Sequence, residues 1–286
     1  MVQNPQKITI SVTTCRIDMF FRRALHSVRR QTAIPDEVVI VVDGFSWKMN
    51  GEKALMDLPP EWKLVWTESE DSGPAMVRNL GMHHSSGDWI VVLDGDDFLV
   101  PSFVESYRKI LTDMTADVIV EFQSNALIHQ GMLISKNMPP DKVGWSEVLR
   151  LGTKTMLSGM YKRGDMPIRP VLIRNENKKY YPIDYCVLED KMLLLQYMQE
   201  ERKIVLSDYC GYIRNIHPLT YTARISSSDW HMVNRDEIRF KKVAANTTLP
   251  VWTLRDKIFE PWRSHLYLTD DDQTYINETI KYFSGL

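Results

Sequence analysis

Unbroken runs of β-branched and apolar residues constrain this chain most, because they require a sheet that is buried on both faces. Residues 38–42 are five consecutive β-branched residues, and residues 89–93 form a second apolar run. A strand with one face in water alternates polar and apolar residues, so continuous runs favour parallel strands covered by helices. Residues 8–12 and the weaker segment Lys63–Trp66 supply two further predicted strands.

Helical patterns alternate with these strands. Residues 19–31 place Phe20, Ala24 and Val28 on one helical face and arginines on the other, and a second helix is predicted over residues 73–83. Strand followed by helix in this rhythm predicts an α/β fold, with a doubly wound, mostly parallel sheet flanked by helices.

The second half of the chain is harder to interpret. Residues 128–174 scatter Gly and Pro among basic residues, which predicts loops and short elements, whereas residues 187–198 predict a helix. Beyond residue 225 the pattern is helical, with Trp252, Phe259 and Trp262 as expected apolar anchors. The predicted organisation is a catalytic domain over residues 1–225, divided into a nucleotide-sugar-binding part (1–125) and an acceptor-binding part (126–225), followed by a C-terminal helical extension (226–286).

Composition restricts the classes of binding partner and the cellular compartment that are expected for this protein. A net charge of −2 gives no overall attraction to nucleic acid or to an anionic membrane. The three cysteines lack CxxC spacing, which argues against disulfides and thiolate metal sites and fits a reducing compartment. The N-terminus lacks a signal-peptide pattern, and the apolar stretches are too short to span a bilayer. We therefore expect a cytoplasmic protein with no transmembrane segment and no nucleic-acid partner.

Polar clusters follow three of the predicted strands. Residues 13–16, the pair Asp43-Gly44, and the turn Asp94-Gly95-Asp96-Asp97 each stand directly after an apolar run. In doubly wound sheets, ligands bind beyond the carboxyl ends of the strands. The sequence therefore predicts that these clusters converge on one binding site.

The acidic turn at residues 94–97 is the most informative of these clusters. Neighbouring carboxylates repel one another, so a cation is expected to stabilise them, and Mn²⁺ or Mg²⁺ favours such oxygen ligands. A plain surface turn would also favour Asp and Gly. Because the turn follows a buried strand, we interpret it as a metal site.

The order of the motifs resembles that of the family 2 glycosyltransferases, which have the GT-A fold. The resemblance covers about residues 7 to 225. It rests on Ala24-Leu25-x-Ser27-Val28-x-x-Gln31-Thr32, the acidic strand end of residues 38–46, the Ala-Arg-Asn-x-Gly-like helix of residues 73–81, the Gly-strand-Asp-x-Asp-Asp-x-x-x-Pro signature of residues 87–101, Leu188-Glu189-Asp190, and the tyrosine-to-histidine segment of residues 212–217.

The resemblance implies an inverting, metal-dependent transfer of sugar from a nucleotide-sugar donor, with a UDP-sugar favoured, to a hydroxyl of a saccharide or other acceptor. It implies nucleotide contacts for Thr13, Cys15, Arg16, Asp43, Arg78, Asp94 and Gly95, with Thr13 and Asp43 on the base and Arg78 beside it. It also implies metal binding by Asp94, Asp96 and His217, and catalysis by Asp190 as base with Glu189. Two positions depart from the family pattern: Cys15-Arg16 stand in place of Tyr-Asn, and Gly44 stands in place of a second Asp.

Alternative interpretations remain open at this stage. Arg78 suits a solvated helix charge, Glu189-Asp190 suit a helix N-terminus, and a lone histidine such as His217 is often structural. The competing functions are a nucleotidyltransferase, which would carry a Gly-rich loop where residues 13–16 have no Gly, and a non-catalytic carbohydrate-binding protein of the same fold. The C-terminal helices also leave open a peripheral membrane contact or a contact with a second copy.

Overall fold

A computed structural model gives the fold of the chain. It describes residues 6–44, 55, 57–68, 71–111, 116–122, 124–129, 132–137, 168–200, 202–207, 209, 211–216, 230–246 and 269–284. The strands are β1 (Ile8–Thr14), β2 (Glu37–Val42), β3 (Lys63–Trp66), β4 (Trp89–Asp94), β5 (Phe98–Leu99), β6 (Val118–Phe122), β7 (Ser124–His129), β8 (Met132–Asn137), β9 (Ile168–Arg174), β10 (Ile204–Ser207) and β11 (Tyr212–Ile216). The helices are α1 (Met19–Arg29), α2 (Pro74–His84), α3 (Phe103–Leu111), α4 (Glu189–Gln199), α5 (Trp230–Asn246) and α6 (Asp270–Ser284).

The main sheet has the strand order β10-β6-β9-β4-β1-β2-β3. All its neighbouring pairs are parallel except those of β9, which runs antiparallel to β4 and β6. The predicted doubly wound, mostly parallel sheet is therefore confirmed. Residues 128–174, where the sequence predicts loops and short elements, contain the short strands β8 and β9, and residues 138–167 are outside the described residues.

Burial on both faces of the sheet explains the unbroken apolar runs. In β4, Trp89, Val91 and Leu93 pack in the larger core, which also receives α1. Ile90 and Val92 point to the opposite face and pack in a second core with α4. Each successive side chain of this strand is thus withdrawn from water, as the continuous run predicted.

A second sheet places one more strand beside the acidic turn. Its order is β5-β11-β7-β8, and β11 pairs antiparallel with β5. Because β5 follows directly after Asp97, this pairing brings residues 212–216 next to the end of β4. The hydroxyl of Tyr212 accepts a hydrogen bond from the backbone N–H of Asp94 at 3.0 Å.

Gln31 ties α1 to the segment that follows the acidic turn. Its side-chain amide donates to the carbonyl oxygens of Ser27 at 3.0 Å and Val100 at 2.8 Å, and its side-chain oxygen accepts from the N–H of Val104 at 3.0 Å. Gln31 therefore has a structural role, because it fixes the end of α1 to the segment that follows the acidic turn.

The two C-terminal helices pack on opposite cores. Phe240 and Ala244 of α5 join the second core, while Tyr275 and Ile276 of α6 join the larger one. The helical pattern expected after residue 225 is thus confirmed in the described part. The expected anchors Trp252, Phe259 and Trp262 lie outside the described residues. Among the described helices, none combines the length and apolar character needed to cross a bilayer.

Candidate active site

A cavity of about 330 Å³ opens at the carboxyl ends of β1, β2 and β4. It brings together residues from each polar cluster that the sequence singled out. The predicted site residues that line it are Thr13, Cys15, Arg16, Asp43, Arg78, Asp94, Gly95, Asp96, Glu189 and Asp190. The predicted metal ligand His217 lies outside the described residues.

Two glycines shape this end of the sheet. The N–H of Gly95 donates to the carbonyl of Thr13 at 2.7 Å, and a Cβ at position 95 would lie 2.7 Å from the Cβ of Thr14, closer than Cβ atoms approach. Gly44 has φ 107°, a conformation that favours glycine. The backbone therefore accounts for Gly44 at the position where the family pattern has a second Asp.

Asp43 is buried and oriented by two internal donors. The hydroxyl of Thr67 donates to one carboxylate oxygen at 2.9 Å, and the N–H of Ser72 donates to the other at 2.9 Å. A carboxylate offers about four acceptor positions. Asp43 is thus held in place and keeps acceptor capacity for an N–H of a ligand in the cavity.

Arg78 links the end of β4 to the start of α4. Its guanidinium donates to the two carboxylate oxygens of Asp94 at 2.8 and 2.9 Å and also to Glu189. Only 12% of its side-chain surface is exposed. Such a charge-assisted, bidentate pair is strong and fixes orientation. The structure therefore places this side chain between two carboxylates.

Arg169 of β9 extends the charge pattern, and sequence reasoning missed it. Its guanidinium lies 3.5 Å from the ring centroid of Tyr212, 3.5 Å from the carboxylate of Asp94 and 3.2 Å from that of Asp97. Positive and negative side chains then alternate across the floor of the cavity, in the order Glu189, Arg78, Asp94, Arg169, Asp97. We call these five residues the charge ladder. The only sequence signal for Arg169 was the short apolar run of β9.

Burial and neighbouring charges shift the pKa values of the three carboxyl groups of the charge ladder in different directions. Burial raises the pKa of Asp94, but the guanidinium groups of Arg78, Arg169 and Arg214 together outweigh it, and the net shift of this pKa is downward. Burial raises the pKa of Glu189 despite the guanidinium of Arg78. Burial, together with the charge of Asp96, raises the pKa of Asp97 to about 6. Asp94 is thus the most firmly ionised of the three.

Asp190 stands at the N-terminus of α4, after a residue with unusual backbone geometry. Leu188 has φ 64°, in the left-handed region that bulky residues rarely adopt. α4 starts immediately afterwards, where buried Glu189 contacts Arg78 and half-buried Asp190 lines the cavity. Non-glycine residues in this region are strained and cluster at functional sites.

Asn215 of β11 is a buried amide in the cavity lining. It is 1% exposed, and within the described part of the chain neither polar atom of its side chain has a hydrogen-bond partner. Its backbone N–H donates to Asp97 at 2.8 Å. An unsatisfied buried polar group costs about 1–3 kcal/mol, and it calls for an ordered water or a ligand. Sequence reasoning also missed this side chain.

The charge of the cavity is unbalanced. Among the described residues, eight carboxylates and five Arg or Lys side chains line it, so negative charge is in excess in this part of the lining. In the described ranges, no group of three or more His, Cys, Asp and Glu is arranged as a metal-binding cluster. Mg²⁺ commonly binds one or two protein carboxylates plus substrate phosphates. Of the two carboxylates that the resemblance assigns to a metal, Asp94 is paired with Arg78, and the half-buried side chain of Asp96 also lines the cavity.

Comparison with known proteins shows which proteins have similar sequences. Residues 10–127 match the family model described as glycosyl transferase family 2. The pneumococcal "Glycosyltransferase GlyA" is 30% identical over 114 residues, which cover 40% of this chain and 16% of that protein. The "Uncharacterized glycosyltransferase YwdF" of Bacillus subtilis is 34% identical over 116 residues, which cover 40% of each chain.

A longer match joins the chain to a staphylococcal protein. The "Poly(ribitol-phosphate) beta-N-acetylglucosaminyltransferase TarS" of Staphylococcus aureus is 22% identical over 238 residues, which cover 80% of this chain and 39% of TarS. The crystal structure of S. aureus TarS 1-349 in complex with UDP-GlcNAc matches with a TM-score of 0.58 and 17% identity, over 86% of this chain and 68% of that one. At this identity the structural likeness shows the fold.

The sheet and the structural match to TarS together show that the chain has the fold of the GT-A glycosyltransferases. Residues 10–127 are thus the part of the chain that is similar to glycosyl transferase family 2. The matched segments span 16%, 40% and 39% of the three curated relatives named above, less than half of each.

Proposed function

We propose that this protein transfers a sugar from a UDP-sugar to an acceptor hydroxyl, with inversion at the anomeric carbon and with Mn²⁺ or Mg²⁺ bound. One observation carries the proposal: a single cavity of about 330 Å³ holds both the strand-end residues of the family match and the half-buried carboxylate Asp190. The proposed donor site and the proposed base that deprotonates the acceptor would thus lie in the same cavity.

The proposal of UDP as the donor nucleotide rests on Asp43, the residue expected to contact the nucleobase. Asp43 is held by Thr67 and Ser72 with acceptor positions to spare, which suits the ring N–H of uracil. The TarS fragment that shares the fold was crystallised with UDP-GlcNAc, which supports a nucleotide-sugar donor. The buried amide of Asn215 is both donor and acceptor, a combination that suits sugar hydroxyl groups.

Asp190 is proposed as the catalytic base. The acceptor oxygen attacks the anomeric carbon and loses its proton to the Asp190 carboxylate, while the bond from that carbon to the diphosphate oxygen breaks. A single base, with attack from the side opposite the leaving group, inverts the anomeric centre. Arg78 and Arg169 of the charge ladder hold Asp94 and Asp97 in place and supply positive charge near the diphosphate.

A divalent cation resolves the charge imbalance of the site. Among the described lining residues, carboxylates outnumber cationic side chains by three, and this excess of negative charge would repel a diphosphate that enters without a cation. Asp96 would hold the metal together with the phosphate oxygens of the donor. When bound, the metal neutralises charge that develops on the leaving nucleoside diphosphate.

The release of nucleotide from a donor panel tests this function. We expect diphosphate release from a UDP-sugar with Mn²⁺, slower release from GDP- and ADP-sugars, and none after chelation with EDTA. No release from any donor, in the presence of a saccharide acceptor panel, would contradict transfer. Release of pyrophosphate from a nucleoside triphosphate and a sugar phosphate would point instead to a nucleotidyltransferase. The acceptor hydroxyl and a cytoplasmic location stay predictions from the sequence.

A further inference from the structure

The segment that leads into the proposed catalytic base is held by a helix from the far end of the chain. We call residues 184–188 the lead segment. Asp236 of α5 is fully buried, and one of its carboxylate oxygens accepts hydrogen bonds from the N–H groups of Cys186 at 2.6 Å and Val187 at 3.2 Å. Two consecutive backbone amides of the lead segment are thus fixed by a single side chain.

Two arginines of α5 complete the attachment. Arg235 donates to the other carboxylate oxygen of Asp236 at 2.9 Å, which compensates the buried charge. Arg239 donates to the carbonyl of Asp184 at 3.0 Å, and its guanidinium lies 4.4 Å from the ring centroid of Tyr185. α5 therefore contacts the lead segment at four consecutive residues.

The strained residue follows directly after these contacts. Leu188, with φ 64°, comes next after Val187 and immediately precedes Glu189 and Asp190. Such a conformation persists only where the surroundings determine it. Cys186, Val187 and Leu188 also line the cavity, so their position sets the cavity wall next to Asp190.

We propose that Asp236 is a positioning residue that holds the lead segment, and with it Asp190, in the geometry for proton transfer. This inference rests on the proposed role of Asp190 as base. It gives α5, which lies outside the family match of residues 10–127, a part in the active site.

Removal of the carboxylate tests the proposal. Asp236→Ala should lower kcat by about 10- to 100-fold with a donor KM within about twofold of wild type, since a displacement of about 1 Å costs up to about 10²-fold in rate. Hydrogen exchange of peptides spanning the lead segment should become faster. In Asp236→Asn the side-chain oxygen can still accept both N–H groups, and the partly exposed Arg235, which loses its carboxylate acceptor, can turn to solvent, so kcat and exchange should recover most of the loss.

Asp272 offers a matched control on the other C-terminal helix. It is equally buried in α6 and accepts hydrogen bonds from the N–H and hydroxyl of Ser102 at 3.0 and 2.6 Å, and from the N–H of Thr269 at 2.9 Å. None of these three residues lines the cavity. Asp272→Ala should lower the melting temperature as much as Asp236→Ala does, with kcat per folded enzyme and exchange of the lead segment unchanged.

The outcomes separate the possibilities. Equal kcat for the two alanine variants, or unchanged exchange of the lead segment in Asp236→Ala, would overturn the proposal. If Asp236→Ala does not fold, Arg239→Met is the substitute variant, because Arg239 is partly exposed and its loss should not prevent folding. This variant should lower kcat severalfold at unchanged donor KM. An unchanged kcat would overturn the proposal. If wild-type enzyme transfers no sugar, the proposed function fails, while the exchange measurement still decides whether Asp236 holds the segment.

Discussion

Two walls of one cavity are built by different means. The donor wall consists of residues 13–16, Asp43 and residues 94–97, and the strand directly before each of these clusters brings its backbone to the cavity. The catalytic wall consists of residues 186–191 with Arg169, Arg214 and Asn215, and it depends on contacts between segments far apart in the chain. The first wall is a product of local structure and the second of tertiary structure.

This difference predicts different responses to substitution. In the donor wall, backbone turns and glycines set the geometry, so single side chains can be changed with an effect mainly on nucleotide binding. In the catalytic wall, buried charges hold one another in place, so the loss of one leaves another uncompensated. Variants of the catalytic wall should therefore change stability and turnover, whereas those of the donor wall should change affinity.

The largest effect is expected at Arg78, which joins the two walls. Arg78→Met leaves Asp94 and Glu189 buried without their shared cation, a loss of about 3–5 kcal/mol in the free energy of unfolding at neutral pH. Without the guanidinium both folded-state pKa values rise above those of the unfolded chain. The variant should therefore lose stability as the pH rises above about 4, where the unfolded carboxyl groups ionise.

Urea unfolding at pH 5 and pH 8 measures this effect. We expect the deficit of Arg78→Met relative to wild type to be larger at pH 8. A deficit below about 1 kcal/mol at both pH values, the size typical of an exposed ion pair, would show that the charge ladder is not a stabilising unit.

The next effect is expected at Asp190. Asp190→Asn keeps the shape of the side chain and removes its basicity, so turnover should fall by about 10²-fold or more while UDP affinity stays near wild type. Glu189→Gln should reduce turnover less, because Glu189 contacts Arg78 and has a positioning role. Steady-state kinetics and melting temperatures should be measured for both variants, so that the loss of turnover can be compared with the loss of stability.

Near-wild-type turnover in Asp190→Asn would exclude it as the base. A pair of plain helix N-terminal charges predicts instead a modest loss of stability in both variants, with little kinetic effect. Asp184, which pairs with Arg239 at the surface, would then be the next described carboxylate to test.

A smaller effect is expected in the donor wall at Asp43. Asp43→Ala should weaken UDP binding by about 10-fold or more, the value of one hydrogen bond to a charged acceptor. GDP and ADP binding should change less, because the lost contact is specific to the uracil N–H. Calorimetry with the three diphosphates checks this, and an equal loss for all three would indicate a general disturbance of the fold.

The contrast between the walls also explains what the sequence could predict. Strand ends such as Asp43 and Asp94 were found because a buried apolar run directly precedes each of them, and the cavity confirms that they lie together. Gly44 looked like a lost carboxylate, and only its φ of 107° shows the backbone reason for glycine. These features depend on neighbours in sequence.

Residues of the catalytic wall gave no comparable signal. Arg169 acts through contacts with Asp94 and Asp97, more than 70 positions away, and its strand lies in a region without clear periodicity. Asp236 belongs to no motif of the sequence, and only the fold brings it to the lead segment. The expected metal ligands Asp94, Asp96 and His217 stay a prediction.

The central claim is that this cavity binds a nucleotide diphosphate together with a divalent cation. Isothermal titration calorimetry of UDP in Mn²⁺ or in EDTA, on wild type and Asp96→Ala, tests it most directly, with circular dichroism as the control for folding. We predict that Mn²⁺ strengthens UDP binding to wild type by about 10-fold or more, the scale expected when a carboxylate-bound cation neutralises the diphosphate. Asp96→Ala should lose this metal-dependent gain while remaining folded. Equal UDP affinity of wild type with and without the metal would contradict the account.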